Sequence, residues 1–195
     1  MDTNQTINQF FNRAIISDFS RDYLLRVVSI NFDGPGGAVL NENDLLYAKT
    51  AKLPGRDIVN QAVKYAGQTF NIPGSVEYPG SDNYELEFYC PEQSTIRERL
   101  MNESHRQFGN FFGIQGSGGG GGSIASAFSK ISLIQLNKNL EEVAQYDLMG
   151  ANIRKVGEMA YKIAEGNGEV MTFTVGIAYH FFYRRLVNGV VPNNT

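Results

Sequence analysis

The chain has 195 residues, 42% of them hydrophobic, and a formal charge of −3 at pH 7. This length suits a single domain, and this much apolar matter argues against a chain that is disordered throughout. Tight nucleic-acid binding depends on clustered lysine and arginine, so a mildly acidic chain does not predict a nucleic-acid-binding protein.

Cysteine content and local hydrophobicity exclude further classes. The single cysteine, Cys90, cannot form an internal disulfide and fits a reducing compartment. Residues 1–6 show neither a basic nor an apolar stretch, so we expect no secretory signal. No run of about 18 apolar residues occurs, so we expect no transmembrane helix.

The first third of the chain shows one helical pattern followed by strand patterns. Apolar residues spaced by three and four predict a short helix over 2–20. β-branched and aromatic residues predict strands over 23–32 and 45–53, each ended by nearby glycine and proline. A hairpin is predicted over 58–72, with its turn at 66–68.

The middle third contains a strand, a helix and a glycine-rich segment. Clean alternation predicts a strand over 84–90. Apolar residues recurring every four positions predict a helix from about 92 to 108, with Pro91 at its start. The segment at about 113–125 is predicted to be a flexible loop, because glycine loses much conformational freedom when it is ordered.

Beyond the glycine-rich segment, strands are predicted over 128–136 and 143–149, joined by a short polar turn. The polar residues 152–158 are expected to lie outside the strands. A short strand is then expected over 159–163.

The strongest pattern covers 169–183 and predicts one long final strand. Its even positions are small or polar, with Phe182 as the one exception, and its odd positions are large and apolar. A period of two indicates a strand with one buried face. The candidate core residues of this strand are Met171, Phe173, Val175, Ile177 and Tyr179.

These elements predict a mainly β fold: an antiparallel β-sandwich or barrel with one packed α-helix. The whole chain, 1–195, is expected to be one domain with the flexible loop at about 113–125.

No catalytic constellation emerges from the titratable residues. The two histidines, His105 and His180, and the lone Cys90 cannot assemble a His/Cys metal set. Glu85 and Glu87 share one strand face and fit a paired-carboxylate site, but the solvent side of a half-buried strand is the better interpretation. The chain is therefore predicted not to be an enzyme, and no cofactor is expected.

A further signal comes from the order and spacing of the segments 51–55, 63–72, 84–89, 92–108, 149–153, 156–159 and 168–179. Together these segments resemble the tail tube protein of contractile-tailed (myovirus) phages. That family is related to the tube proteins of type VI secretion and other contractile injection systems. The similarity runs from about 10 to 183, and the chain departs from the family in the glycine-rich loop and in 33–43.

This resemblance implies a subunit that assembles as a hexameric ring, in which the sheets of six copies join into one ring-wide β-barrel. Stacked rings would form the tail tube that conducts DNA into the host. About 24 strands at roughly 4.8 Å spacing give a backbone diameter of about 37 Å, which is wide enough for a duplex. A neutral or acidic lumen would let DNA slide without being held.

The implied partners are other copies of the chain, the tail sheath protein, the baseplate or tube-initiator protein, the tail terminator and a tape measure protein in the lumen before ejection. The implied location is the virion tail, assembled in the host cytoplasm. The segment 34–44 is expected to project from the ring and touch the next one. Its candidate ring-stacking residues are Gly34, Pro35, Gly36, Asn41, Asn43 and Asp44.

Two other functions remain open from the sequence. The first is the tube protein of a phage-derived contractile injection machine, which shares the fold. The second is a monomeric β-barrel that binds a small apolar ligand in its interior.

Overall fold

The computed structural model describes residues 20–32, 39–108, 129–161 and 168–186, together with the single residues 9 and 166. Ten strands and two helices occupy these described residues. The strands are β1 (Leu25–Asn31), β2 (Ala48–Thr50), β3 (Asp57–Tyr65), β4 (Gln68–Glu77), β5 (Tyr84–Tyr89), β6 (Lys130–Leu136), β7 (Glu142–Met149), β8 (Asn152–Val156), β9 (Thr172–Ala178) and β10 (Phe181–Leu186). The helices are α1 (Glu42–Leu45) and α2 (Thr95–Phe108).

The strands form two four-stranded sheets and one separate hairpin. Sheet A has the order β1-β6-β7-β10, and sheet B has the order β2-β5-β9-β8. Strands β3 and β4 pair only with each other among the described strands. All pairings are antiparallel. The predicted mainly β fold, with antiparallel strands and a packed helix, is confirmed.

The core is built from the inward rows of sheets A and B. On β5 the inward residues alternate with outward ones as the pleat requires, whereas residues 131–134 of β6 are all buried. Leu86 and Phe88 on β5 and Leu133 on β6 are completely buried, with 0% exposure. The rings of Phe88 and Phe173 stack at 5.8 Å between centroids. Each such side chain stabilises the fold by about 1.5–3 kcal/mol relative to exposure, so this layer holds the two sheets together.

Helix α2 closes the core beside β8. Ile96 and Leu100, four residues apart on one helix face, are 0% and 1% exposed. Gln107 Oε1 accepts a hydrogen bond of 3.0 Å from the Ile153 backbone of β8. The helix begins three residues later than the predicted position 92, because the backbone N of Ser94 bonds to Pro91 O in a turn.

The predicted final strand over 169–183 is wrong as a single element. It is two strands in different sheets: β9 lies inside sheet B, and β10 is an edge of sheet A. The chain crosses between the sheets at Tyr179 and His180, and the backbone N of His180 donates to Met149 O at 2.9 Å. A continuous straight strand could not contribute to both layers of the sandwich.

Three further predictions need correction. The predicted strand over 45–53 is reduced to the three residues of β2, because α1 occupies its beginning. The polar stretch 152–158 contains strand β8, which pairs with β9. The residues 159–161 of the predicted strand 159–163 are not in a strand.

The remaining predicted strands and the hairpin are confirmed to within a few residues. The hairpin extends further than predicted, to Glu77, and its turn is Ala66–Gly67. The predicted helix over 2–20, except residues 9 and 20, the break at 33–38 and the loop at 113–125 lie outside the described residues.

Candidate assembly surfaces

The candidate core residues of the last predicted strand lie between the two sheets. Phe173, Val175, Ile177 and Tyr179 are at most 4% exposed, whereas Met171 is half-buried. The ring centroids of Tyr179 and Tyr84 lie 6.0 Å apart. Burial raises the pKa of the Tyr84 hydroxyl to about 12. The Tyr84 hydroxyl bonds to the backbone of Lys52, so the row packs the core and keeps its polar atoms satisfied.

The two acidic residues of β5, Glu85 and Glu87, accept hydrogen bonds from neighbouring side chains at the surface. Glu87 accepts hydrogen bonds from Lys49 Nζ at 2.9 Å and from Thr50 Oγ1 at 3.1 Å. The hydrogen bond from Lys49 is the main cause that lowers the pKa of Glu87. Glu85 is exposed and accepts from Asn83 Nδ2 at 3.3 Å. An ionised, paired carboxylate is a poor proton donor, so this face has no sign of acid catalysis.

The remaining titratable candidates are the two histidines and the cysteine. His105 lies exposed on α2, and His180 lies exposed between β9 and β10. Cys90 Sγ lies 3.5 Å from Ser94 Oγ. In the described part of the chain, no three His, Cys, Asp or Glu side chains come together as metal ligands. Among the same residues, no helix is long and apolar enough to cross a membrane.

The candidate ring-stacking residues that the structure describes belong to a capped helical turn. Asn41 precedes α1, and its backbone N donates to Asp44 Oδ2 at 3.0 Å. Asp44 also pairs with the guanidinium of Arg99 on α2. Asn43 is exposed, whereas Leu45 at the end of the turn is buried. This end of the segment is therefore fixed to the body, and Gly34, Pro35 and Gly36 lie outside the described residues.

The hairpin β3–β4 is the most exposed regular structure among the described residues. Every residue of both strands is exposed. Val63 pairs with Phe70, and Gln61 pairs with Ile72, so apolar residues of the two strands share one face. We call this set the hairpin apolar face; it consists of Val59, Val63, Tyr65, Phe70 and Ile72, which are 37–75% exposed.

The opposite face of the outer hairpin is mainly polar. Lys64 pairs with Thr69, and Ala62 pairs with Asn71. The turn residues Ala66 and Gly67 have φ of 48° and 78°, the left-handed pair that a two-residue hairpin turn needs. A two-stranded hairpin is marginally stable alone in water, so an exposed apolar face this long indicates a contact surface.

A second apolar area lies at the start of sheet B. Leu46, Tyr47 and Tyr89 are 69%, 43% and 39% exposed, and the backbone N of Tyr89 donates to Tyr47 O at 2.8 Å. Beside them a groove of about 150 Å³ runs between β1 and β2, and its apolar lining includes Leu25, Val27, Leu45 and Ala51. We call Leu46, Tyr47, Tyr89 and this groove the α1–β2 patch.

The sheets also present free edges. Within the described residues, β1 and β10 in sheet A and β2 and β8 in sheet B have a strand neighbour on one side only. Strand β10 pairs with β7 over six residues in unbroken register, whereas β2 has only three residues. A long regular edge is a template for another strand, and a short one is not.

A buried carboxylate fixes the β10 edge to its sheet. Asp147 on β7 is 5% exposed and accepts hydrogen bonds from Ser132 Oγ at 2.6 Å, Gln145 Nε2 at 2.8 Å and Arg185 Nη2 at 2.6 Å. Burial alone would raise the pKa of Asp147, but these donors, with Ser132 first among them, lower it. The ionised group thus holds Arg185 of β10 against the sheet.

Two features of these surfaces escaped the sequence reasoning. The bend after β9 had a signal in Phe182, the one large residue at an even position. In β10 Phe182 is the inward residue, with its ring 5.5 Å from that of Tyr78, while Tyr183 is 58% exposed. The hairpin apolar face had the usual pattern of a half-buried strand, which cannot show whether the burying partner is in the same chain.

No family model and no curated protein matches the chain, but solved structures match its fold. A chain of the PVC sheath–tube complex of an extracellular contractile injection system, in its extended state, has a TM-score of 0.52 at 12% identity. The match covers 96% of this chain and 99% of that chain.

Two further structures agree. A chain of the anti-feeding prophage tube terminating cap gives a TM-score of 0.51 at 11% identity, covering 87% of this chain and 92% of that chain. A chain of the PVC sheath/tube terminator gives 0.50 at 11% identity, covering 87% and 99%. At these identities the similarity establishes a shared fold over nearly the full length.

Proposed function

We propose that this chain is the structural tube subunit of a contractile injection machine, assembling as hexameric rings that stack into the inner tube. The observation that carries the proposal is a sandwich of two four-stranded antiparallel sheets with free edges. It occurs in a fold shared with a chain of a contractile sheath–tube complex.

The edge geometry supports head-to-tail assembly. In an antiparallel sheet of four strands, the two edge strands run in opposite directions. Placing β10 of one copy beside β1 of the next therefore continues the antiparallel alternation across the junction. Such a heterologous contact uses each edge once and closes into a ring when the rotation allows, which also removes the exposed edges.

A filled core favours this structural role over the ligand-binding alternative. Phe88, Phe173 and Leu86 occupy the space between the sheets and are at most 2% exposed. A barrel that binds a small apolar ligand would need an interior cavity of several hundred Å³. The exposed apolar surface of the described residues lies instead on the outside of the sandwich and on the hairpin.

We propose further that the machine is a phage tail and that its cargo is DNA. The support is the resemblance of the sequence to tail tube proteins of contractile-tailed phages. In this version the partners are the tail sheath, the baseplate or tube initiator, the terminator and a tape measure protein, and the chain resides in the virion tail after assembly in the host cytoplasm. A net charge of −3 suits a lumen through which DNA slides.

The tube proposal is tested by sizing the purified protein and imaging it by negative-stain electron microscopy. We expect rings with a central channel, or tubes. A stable monomer at high protein concentration would contradict the proposal. The phage version is tested separately by immunogold labelling of particles from the producing cells. Label on the tails of DNA-filled particles supports it, and label confined to DNA-free particles contradicts it.

The segment 34–44 remains a proposed ring-stacking element. Deleting residues 35–38 should leave the fold intact, because the helical turn that follows is fixed by Asp44 and Leu45. We expect single rings to form but tube extension to fail, as measured by tube length in micrographs. Tubes of normal length would contradict the stacking role of this segment.

A further inference from the structure

The described part of the chain does not cover the hairpin apolar face, and the dimensions of this face suit contact with another molecule. Nine-residue β3 and ten-residue β4 extend about 30 Å at ~3.3 Å per residue. Tyr65, Phe70 and Ile72 remain 75%, 48% and 50% exposed on one side of this ribbon. Removing such side chains from water on association is the main source of favourable free energy in protein contacts.

The same chain offers a surface of matching chemistry. The α1–β2 patch exposes Leu46, Tyr47 and Tyr89 beside a groove of about 150 Å³. A groove of this volume is large enough to receive one or two side-chain ends. Its lining combines apolar residues with Arg26 and Lys49, and Lys49 Nζ is held by Glu87 at 2.9 Å and stands 5.7 Å from the ring centroid of Tyr89.

We propose that the hairpin apolar face of one copy docks on the α1–β2 patch of a second copy, with Phe70 or Ile72 seated in the groove. The inference rests on the proposed function, because it takes the second copy to be a tube neighbour. Two different surfaces meet in this contact, so it is heterologous and can repeat from copy to copy. In this contact the hairpin apolar face and the α1–β2 patch cover each other.

The pairing of one polar and one apolar hairpin face supplies a matched test. Phe70→Asp places a charge in the contact, whereas Thr69→Asp places the same charge on the opposite face one residue away. On the patch, Leu46→Asp is matched by Leu140→Asp in the β6–β7 turn, since these leucines are 69% and 68% exposed. All four positions are exposed, so all four variants should fold.

We expect Phe70→Asp and Leu46→Asp each to raise the protein concentration needed for assembly by about tenfold or more, as hot-spot losses do. Thr69→Asp and Leu140→Asp should leave it within about twofold. Assembly is measured by analytical ultracentrifugation, with circular dichroism to verify folding. Normal assembly of Phe70→Asp or Leu46→Asp would overturn the inference. Failure of the unmodified protein to assemble would instead contradict the proposed function.

Cross-linking tests the partner surfaces directly. In a Cys90→Ser background, Phe70→Cys and Leu46→Cys are prepared separately, so that each protein has one thiol. A disulfide requires Cα atoms about 4.4–6.8 Å apart, so oxidation should link copies only when the two proteins are mixed. Equal linking of Phe70→Cys protein with itself would show a symmetric contact and overturn the inference, as would no linking in assembled mixtures.

Discussion

The sandwich and the hairpin have the same apolar alternation but opposite environments. In the sandwich, Phe173, Val175 and Ile177 alternate with smaller residues and are at most 2% exposed. In the hairpin, Val63 and Tyr65 alternate in the same way and are 45% and 75% exposed. A period of two therefore indicates which face of a strand is apolar, but it does not indicate whether the described part of the chain buries that face.

The first prediction compares one chemical change in both regions. Phe173→Asp buries a carboxylate without a partner, at a cost of several kcal/mol, which is a large part of a typical domain stability of about 5–15 kcal/mol. We expect loss of the folded protein, measured by circular dichroism and soluble yield. Phe70→Asp should unfold at the same temperature as the unmodified monomer. Equal loss of folding in both variants would contradict the distinction between the regions.

The second prediction concerns the carboxylate that anchors β10. Asp147→Asn should destabilise the sandwich by about 1–3 kcal/mol at neutral pH, because the charge-assisted bond to Arg185 is lost. The pKa of Asp147 is lowered in the folded chain, so its contribution is present above the unfolded-state pKa of about 3.9. That contribution is lost as the pH falls through the folded-state pKa.

Chemical denaturation across a pH series measures this effect. The stability difference between Asp147→Asn and the unmodified protein should be constant from about pH 6 to 8 and shrink below about pH 4. Ser132→Ala serves as a control that removes one donor and keeps the charge. A difference that stays the same at acid pH would show that the carboxylate charge does not stabilise the β10 edge.

The third and smallest effect is expected in the hairpin turn. Ala66 adopts φ of 48°, which costs an alanine about 1 kcal/mol and which asparagine tolerates better. Ala66→Asn should therefore slow hydrogen exchange of hairpin amides by a few-fold and leave the melting temperature of the sandwich unchanged. Gly67→Ala, at φ of 78°, is the opposing control and should speed that exchange. A change in the melting temperature would show that the hairpin turn and the sandwich are energetically coupled, contrary to this prediction.

The sequence predicted the elements well where the alternation of apolar and polar residues is regular. Strand β5 alternates as predicted, with Tyr84, Leu86 and Phe88 buried in turn. Strand β8 was missed because a register shift between Ile153 and Lys155 breaks the alternation at the sheet edge. The break between β9 and β10 was missed because apolar residues continue through it, and only tertiary pairing reveals that they belong to two sheets.

The candidate site was harder to predict than the fold. The predicted contact segment 34–44 rested on its position between strands, yet Asp44 in it turns out to bond within the chain. The hairpin was predicted as an element, but its exposure could not be predicted. In the sequence alone, Val63 and Phe70 have the same pattern as residues buried in a core. An apolar pattern indicates which residues need burial, but it does not identify the molecule that buries them.

The two short crossings between the sheets give the sandwich unequal sides. Gly150 and Ala151 join β7 to β8, and Tyr179 and His180 join β9 to β10, so both crossings lie on the β8–β10 side. There the sheets are joined by two-residue connections, whereas beside the groove β1 and β2 are joined by the longer segment 32–47, which includes α1. A longer connection restrains its two ends less, so we expect a subunit under load to separate at its groove side first.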